Sequence, residues 1–163
     1  MHRNAQLTAT LGLFSALVLA APASAQGGHG HHGHRTFAAG SPGDPSKASR
    51  TIEITMKEAE GGKMLYEPAR LEVKRGEQIR FVLKNVGQVD HEFMLDSVAN
   101  NAKHKIQMEK NPDMEHDDPN GKRLSPKESG DLVWRFNKAG TFEFACLIPG
   151  HYEAGMRGTV VVK

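Results

Sequence analysis

The chain has 163 residues, and its 21 basic and 19 acidic side chains leave a formal net charge of +2. This length accommodates one domain with a tail but not two separate hydrophobic cores. The nearly balanced charge excludes an overall electrostatic field that would attract nucleic acid.

The first 25 residues have the pattern of a secretory signal peptide. A short basic start at His2 and Arg3 precedes an apolar run from Leu11 to Ala20, and Ala23-Ser24-Ala25 is a cleavage signal of small residues. Cleavage there would leave Gln26 as the N-terminus of a periplasmic protein. The alternative is an uncleaved N-terminal anchor, but the apolar run is short for a membrane span, and no later stretch is apolar enough to cross a bilayer.

Residues 26–50 are rich in Gly, His, Ser and Pro and contain few residues that could build a core, so we predict a disordered tail. Imidazoles on such a flexible tether can bind Cu(II), Ni(II) or Zn(II) adaptively. The alternative is a solubilising linker with incidental histidines, because a His-rich tract is compositional evidence only. The four histidines of the tail are His29, His31, His32 and His34.

From Thr51 onward apolar residues recur at alternate positions, which is the pattern of strands with one buried face. Gly61-Gly62 and Arg75-Gly76 separate these runs as turns, and a further strand spans 90–95. About seven short strands predict an all-β antiparallel sandwich over residues 51–163. The alternating apolar residues are Ile52, Ile54, Met56, Leu71, Val73, Ile79, Phe81, Leu83, Leu132, Trp134, Phe136, Phe142, Phe144, Val160 and Val162.

An insertion at about 97–125 breaks the alternation. Ser97 can cap a short helix that ends near Asn111-Pro112, and an acidic, turn-rich loop follows. Insertions of this length in small sandwiches are usually functional or mobile. Three apolar residues lie four apart on one face of the predicted helix: Val98, Ala102 and Ile106.

The single cysteine lies in the segment Cys146 to Met156, CLIPGHYEAGM, between two predicted strands. An exported protein with one cysteine cannot form an internal disulfide, so this thiol is available to a partner or a metal. A thiolate, an imidazole from His151 and a thioether from Met156 are the ligand types of a trigonal copper–thiolate site with a weak axial sulfur. A buried structural cysteine and a zinc site are the alternatives, although Met is a poor zinc ligand.

This segment, together with His91 in the upstream motif VDHEF, resembles the cupredoxins, a family of small exported blue or green copper proteins. The resemblance covers residues 51–163 and implies a Greek-key sandwich that binds one type 1 copper. It further implies that His91 and His151 bind copper as neutral imidazoles, Cys146 as a thiolate and Met156 as the axial ligand.

One residue departs from the family pattern. Many cupredoxins have an asparagine directly after the upstream histidine, and its side chain ties the two ligand segments together; this chain has Glu92. A carboxyl group so close to the site must be hydrogen-bonded, protonated or exposed to solvent, because an unpaired buried charge is costly. The departure indicates a specialised subgroup and leaves the colour and potential of the site open.

Methionines and histidines near the insertion form a candidate second site for additional Cu(I), because thioether and imidazole ligands suit this soft ion. His104 and Met108 lie four apart and share a helix face. The alternative is that Met108 packs the helix while His104 and His116 are surface residues. The candidate residues of this second site are Met94, His104, Met108, Met114 and His116.

Two functions fit these features. The first is copper tolerance in the periplasm through binding or redox cycling of copper, favoured by the type 1 site, the His-rich tail, the insertion and a resemblance to exported cupredoxins associated with copper resistance. The second is a soluble one-electron carrier between respiratory or photosynthetic partners. A partner protein would then dock on apolar residues around His151, namely Leu147, Ile148, Pro149 and Tyr152.

The sequence supports an enzymatic function less well than either of these two functions. A copper oxidase or reductase needs a second catalytic copper with an open position and a substrate pocket, and one recognisable copper site does not supply these. We therefore expect a monomeric binding or electron-transfer protein rather than an enzyme, and a Cu(I) oxidase activity stays open.

Overall fold

In the computed structural model, which describes residues 37–112 and 118–163, the described chain forms ten strands and one α-helix. Residues 1–36, with the predicted signal peptide and the four tail histidines, lie outside the described residues, as do residues 113–117. The strands are β1 (Ser41–Pro42), β2 (Arg50–Ala59), β3 (Lys63–Glu67), β4 (Arg70–Val73), β5 (Gln78–Asn85), β6 (His91–Asp96), β7 (Gly121–Leu124), β8 (Ser129–Arg135), β9 (Gly140–Ala145) and β10 (Arg157–Val162), and helix α1 is Val98–Lys110.

The strands form two five-stranded sheets, which confirms the predicted all-β sandwich. One sheet has the order β1-β8-β5-β2-β3 and the other the order β4-β10-β9-β6-β7. The prediction that the strands are antiparallel was incomplete, because β2 pairs parallel with β5, and β4 pairs parallel with β10. Alternation of apolar residues reveals which face of a strand is buried, but it carries no information about the direction of the neighbouring strand.

The apolar faces of the two sheets meet in one aromatic core. Phe93 on β6 stacks on Phe144 of β9 at 5.2 Å between ring centroids, and Phe81 from the opposite sheet lies 5.4 Å from Phe93. Tyr66 on β3 contacts Phe144 edge to face. Burying each large side chain of this kind stabilises the fold by about 1.5–3 kcal/mol. Every alternating apolar residue of the predicted strands is buried except Ile52, which is half-buried.

The prediction of a disordered tail up to Arg50 was wrong for residues 37–50. β1 pairs with the end of β8, Ala39 is fully buried, and Phe37 packs edge to face on Trp134 at 5.3 Å between ring centroids. Ser41 and Pro42 form β1 itself, and Pro45–Lys47 form a short 3-10 helix, so this part of the stretch is not a flexible linker. Gly40 has a φ of 143°, and a side chain there would collide with the Arg135 carbonyl oxygen at 2.0 Å.

Helix α1 begins as predicted, since the Asn100 N–H donates to the Ser97 hydroxyl oxygen at 3.2 Å. The packing face was predicted wrongly. Val98 is 58% exposed and Ile106 50% exposed, and Ala102 is also exposed. The helix instead buries Asn101 and Met108, because these residues pack against β6 and β9, which are inner strands of the second sheet.

Strand β7 lies inside the predicted insertion and extends that sheet beyond β6. Residues 97–125 are therefore not a single insertion outside the sheets, because β7 at their end is a strand of the sandwich. Within the described residues, α1 is too short and too polar to cross a membrane.

Candidate metal centre

Three of the four predicted ligands converge at one end of the sandwich. His91 begins β6, Cys146 directly follows β9, and His151 lies in the loop between β9 and β10. One candidate ligand atom from each of these residues lies within 4.8 Å of the other two. The Cys146 sulfur is 3.2 Å from His151 Nδ1. Among the residues that the structure describes, this is the one cluster of three or more His, Cys, Asp or Glu side chains with such spacing.

The loop between β9 and β10 is closed by its own backbone. The Cys146 N–H donates to the Met156 carbonyl at 3.1 Å, and the Met156 N–H donates to the His151 carbonyl at 3.0 Å. Gly150 and Gly155 take positive φ angles of 88° and 97°, which residues with side chains rarely adopt. Met156, the predicted axial ligand, is fully buried at the end of this loop. The sequence thus folds the cysteine, histidine and methionine onto one compact turn.

The cysteine sulfur is enclosed and hydrogen-bonded. The Glu92 backbone N–H donates to Cys146 Sγ at 3.3 Å, and the cysteine side chain is fully buried. Burial raises the pKa of the Cys146 thiol to about 12. A metal cation is therefore required to hold this sulfur as a thiolate at neutral pH.

The two imidazoles are held in the neutral form that metal ligation needs. Burial lowers the pKa of His91, although the Glu58 carboxylate opposes this shift. Burial, followed by the neighbouring His91, lowers the pKa of His151. The two rings lie 5.3 Å apart between centroids and are inclined by 66°.

His91 shows that these residues fit a metal. Its Nε2 lies 3.2 Å from a Glu58 carboxylate oxygen, whereas its Nδ1 is buried and has no hydrogen-bond partner among the described residues. A buried polar atom without a partner is costly, and native proteins rarely retain one without a reason. A copper ion beside Cys146 and His151 would give this nitrogen a partner, and the donor set of one sulfur and two imidazoles suits copper.

Glu92 is hydrogen-bonded, which was one of the three expectations for this carboxyl group. The side chain is buried, and its Oε2 accepts a hydrogen bond from the Leu147 N–H at 3.3 Å. The Glu92 carbonyl accepts the hydroxyl of Tyr66. Glu92 therefore links the His91 strand to the Cys146 loop.

The ligand loop is also braced by α1. The Tyr152 hydroxyl donates to the buried Glu143 carboxylate at 3.0 Å, and the Asn101 amide of α1 donates to the other oxygen of that group at 3.1 Å. Lys105 and Arg157 lie over the Tyr152 ring at 5.7 Å and 5.0 Å from its centroid. Part of the insertion is thus a support for the loop that carries His151.

The candidate second site is only partly within the described residues, because Met114 and His116 fall outside them. Met94 and Met108 are buried together in an apolar cluster with Ala145 and Leu147. His104 is half-buried and lines a cavity of about 240 Å³ together with Met94. Of the three candidates that the structure describes, Met94 packs with Met108 and lines the cavity of His104, whereas Met108 does not line that cavity.

The predicted docking patch around His151 needs one correction. Leu147 is fully buried, because it packs into the cluster with Met94 and Met108. Ile148 and Tyr152 are half-buried, and Pro149 is exposed.

Sequence reasoning missed Glu58 and the Tyr152–Glu143 contact. Glu58 carried a signal, since it continues the series Ile52, Ile54, Met56 on the core-facing side of its strand. A carboxylate at such a position needs a partner. The Tyr152–Glu143 contact had no sequence signal, because Glu143 lies on β9 and Tyr152 in the loop after it, and only the fold of that loop brings them together.

Comparison with known proteins agrees with this geometry. The model of a family described as "Copper binding proteins, plastocyanin/azurin family" matches residues 53–163. The "Copper-resistant cuproprotein CopI" of Rubrivivax gelatinosus is 48% identical over 118 residues, which cover 72% of this chain and 69% of that protein. The CopI protein of Pseudomonas aeruginosa is 37% identical over 147 residues, covering 72% of this chain and 78% of that one.

Solved structures show the same fold. A structure of auracyanin B matches with a TM-score of 0.61 at 24% identity, covering 78% of this chain and 98% of that chain. A reduced auracyanin from Roseiflexus castenholzii matches with a TM-score of 0.58 at 25% identity, covering 71% of this chain and 98% of that chain.

Proposed function

The chain belongs to the plastocyanin/azurin family of copper-binding proteins, with a type 1 copper as its cofactor, and on this premise we propose that it contributes to copper tolerance as an exported protein. The observation that carries the proposal is the His91–Cys146–His151 group in a chain 48% identical to a copper-resistant cuproprotein.

Four residues would hold the copper. The ligands would be His91 Nδ1, the Cys146 sulfur, the His151 imidazole and the Met156 thioether, a donor set that suits copper. Bound copper supplies a one-electron Cu(I)/Cu(II) couple at this position.

The surrounding chain holds these ligands with little freedom to move. The loop hydrogen bonds fix Cys146, His151 and Met156 relative to one another. The Glu92 link fixes the His91 strand against them, and the Glu92 N–H withdraws negative charge from the sulfur. Such a frame would hold the ligands in similar positions for Cu(I) and Cu(II).

Two further features support copper tolerance over general electron transfer. The tail histidines can capture copper before it reaches the His91–Cys146–His151 group, and the cavity lined by Met94 of β6 and His104 of α1 can add Cu(I) capacity. Export through residues 1–25 would place all of these sites in the periplasm. N-terminal sequencing of protein from the periplasmic fraction tests the export step, with Gln26 as the expected first residue.

A growth comparison tests the proposal. A strain without the gene should stop growing at a lower copper concentration than its parent, and the wild-type gene should restore tolerance whereas Cys146→Ala should not. Zinc sensitivity serves as the control and should be equal in all four strains. Copper sensitivity that is unchanged by the deletion would contradict copper tolerance as the function.

Cu(I) titration tests the second copper site separately. The Cys146→Ala variant without residues 26–36 lacks both the buried thiolate and the tail histidines. Residual Cu(I) binding that is lost on His104→Ala supports the site, and a stoichiometry of zero contradicts it.

One-electron transfer to a partner protein is the second candidate function. It is favoured by the half-exposed position of His151 beside exposed Pro149, which gives a partner access to a ligand edge. In that case deletion should slow a respiratory or photosynthetic electron-transfer step and leave copper sensitivity unchanged. A more specific form of the copper-tolerance proposal is that the site oxidises Cu(I) to Cu(II) and passes the electron to an external acceptor.

A further inference from the structure

We propose that Glu58 is the positioning residue of the copper centre: it directs His91 Nδ1 toward the metal, and its negative charge favours Cu(II) over Cu(I). The inference rests on the proposed role of His91 as a ligand. Glu58 itself lies outside the sequence motifs that define the site, on β2, in the sheet opposite to the one that carries His91.

The Glu58 carboxylate contacts both the ligand and the loop that leads to it. Its Oε1 lies 3.2 Å from His91 Nε2. The Gln88 N–H donates to both carboxylate oxygens at 3.0 Å, and the Val89 N–H donates to Oε1 at 3.1 Å. One side chain therefore holds the backbone just before His91 and the far edge of its imidazole.

These contacts determine which nitrogen of His91 is available. An ionised carboxylate only accepts hydrogen bonds, so the Nε2 that faces it carries the hydrogen of the neutral ring. Nδ1 then keeps its lone pair, and this is the atom that is buried without a partner beside Cys146 and His151. A carboxylate on the outer nitrogen of a metal-bound histidine fixes the tautomer and the orientation of the ring, and it makes the ligand more basic.

The surroundings of the Glu58 carboxylate favour its charged form. It accepts hydrogen bonds from the backbone N–H groups of Gln88 and Val89 and lies beside the outer nitrogen of His91, and such donors stabilise an ionised carboxyl group. A negative charge on the outer edge of a ligand stabilises the more positive ion. Removal of this charge should therefore raise the reduction potential.

Two residues of the loop before His91, Gly87 and Asn85, accommodate the Glu58 carboxylate. Gly87 lies so close that a side-chain carbon there would be 2.6 Å from Glu58 Oε1. The Asn85 side chain accepts the Gly87 N–H at 2.9 Å and donates to the Val89 carbonyl at 2.8 Å, which holds the loop from its other side. Because Asn85 also secures the loop, loss of Glu58 should change the ligand more than the fold.

Three variants test the inference. Glu58→Gln keeps an acceptor oxygen for His91 but removes the charge, and Glu58→Ala removes both. Glu53→Gln is the matched control, because Glu53 is an exposed carboxylate on the same strand that pairs with Lys84 at 2.6 Å. The measurements are the visible and electron paramagnetic resonance spectra of the copper-loaded proteins, their Cu(II) affinity and their reduction potential.

We expect Glu53→Gln to match the wild type in every measurement. Glu58→Gln should keep the wild-type spectrum while its potential rises. Glu58→Ala should lose about 10–100-fold in Cu(II) affinity and show an altered spectrum. Each tenfold loss that is specific to Cu(II) corresponds to a rise of about 59 mV in a one-electron potential.

Two results would overturn the inference, and they are distinct from a failure of the proposed function. A Glu58→Gln protein with the wild-type potential would show that the charge has no effect on the copper. A Glu58→Ala protein that is only less stable, with unchanged spectrum and affinity, would make Glu58 a loop support alone. Absence of a thiolate–copper band in the wild type would instead overturn the proposed function, and this inference with it.

Discussion

The Leu147 backbone N–H donates a hydrogen bond to the Glu92 carboxylate at 3.3 Å, and this contact joins the strand of His91 to the loop of Cys146. Both residues are buried, so neither group can exchange its partner for water. The two halves of the site, more than fifty residues apart in the chain, are thus fixed to each other before any metal binds.

We expect Glu92→Ala to destabilise the metal-free protein by about 1–3 kcal/mol, because it leaves a buried N–H without an acceptor. Glu92→Gln keeps an acceptor oxygen and should lose less. Urea unfolding measures both, with Glu53→Ala as an exposed control that should stay within about 0.5 kcal/mol of the wild type. Equal midpoints for Glu92→Ala and the wild type would show that the link contributes nothing.

Tyr152→Phe tests the brace between α1 and the ligand loop. The change removes the hydroxyl that donates to buried Glu143 but keeps the ring beneath Lys105 and Arg157. Stability should fall by about 1–3 kcal/mol, and copper should leave faster for a chelator because the loop is held less firmly. Glu153→Gln is the control, since it keeps an acceptor oxygen and weakens an exposed ion pair with Lys105, and such pairs contribute about 0–1 kcal/mol. If Tyr152→Phe has the same stability and the same rate of copper release as this control, the Tyr152–Glu143 hydrogen bond does not support the ligand loop.

The segment before β2 can be tested through the only tryptophan of the chain, Trp134. A protein that begins at Asp44 lacks Phe37 and β1 and should be less stable, with Trp134 emission shifted to the red because its ring meets water. The lost Phe37–Trp134 ring contact alone contributes about 0.5–1.5 kcal/mol. A protein that begins at Phe37 is the control and should match the full chain. If both truncations have the same emission and stability, residues 37–43 do not cover the core.

Several elements followed from local sequence alone. The alternating residues of β2, β5, β8, β9 and β10 predicted which faces are buried, because side chains on a strand alternate regardless of the rest of the fold. Ser97 predicted the start of α1 for a similar reason, since a cap bonds to its own first turn. The spacing of Cys146, His151 and Met156 predicted that these three ligands lie in one loop.

Other features depend on tertiary contacts that no local pattern encodes. β1 is two residues long and exists because β8 offers it a partner. The buried side of α1 is decided by Met94 on β6 and Leu147 in the loop after β9. The spacing of Val98, Ala102 and Ile106 does not decide it. The Glu58–His91 contact joins two sheets, so it could be identified only after the sandwich was assembled.

Copper should stabilise the fold, because the ligand cluster exists in the folded chain and not in the unfolded one. At a free copper concentration 100 times the dissociation constant, the expected gain is about 2.7 kcal/mol. Thermal unfolding with copper and after chelation measures this difference. Cys146→Ala is the control, and its midpoint should respond much less to copper. An equal response of the two proteins would place the stabilising copper elsewhere, for example on surface histidines.

The central claim is that Cys146, held beside His91 and His151, binds copper through its sulfur. The most direct measurement is the visible absorption spectrum of copper-loaded protein at a known copper-to-chain ratio. The wild type should bind one copper at this centre with an intense thiolate-to-copper band, and Cys146→Ala should lose that band even when other copper remains bound. A band that survives in Cys146→Ala, or a wild type that binds copper without one, would contradict the assignment.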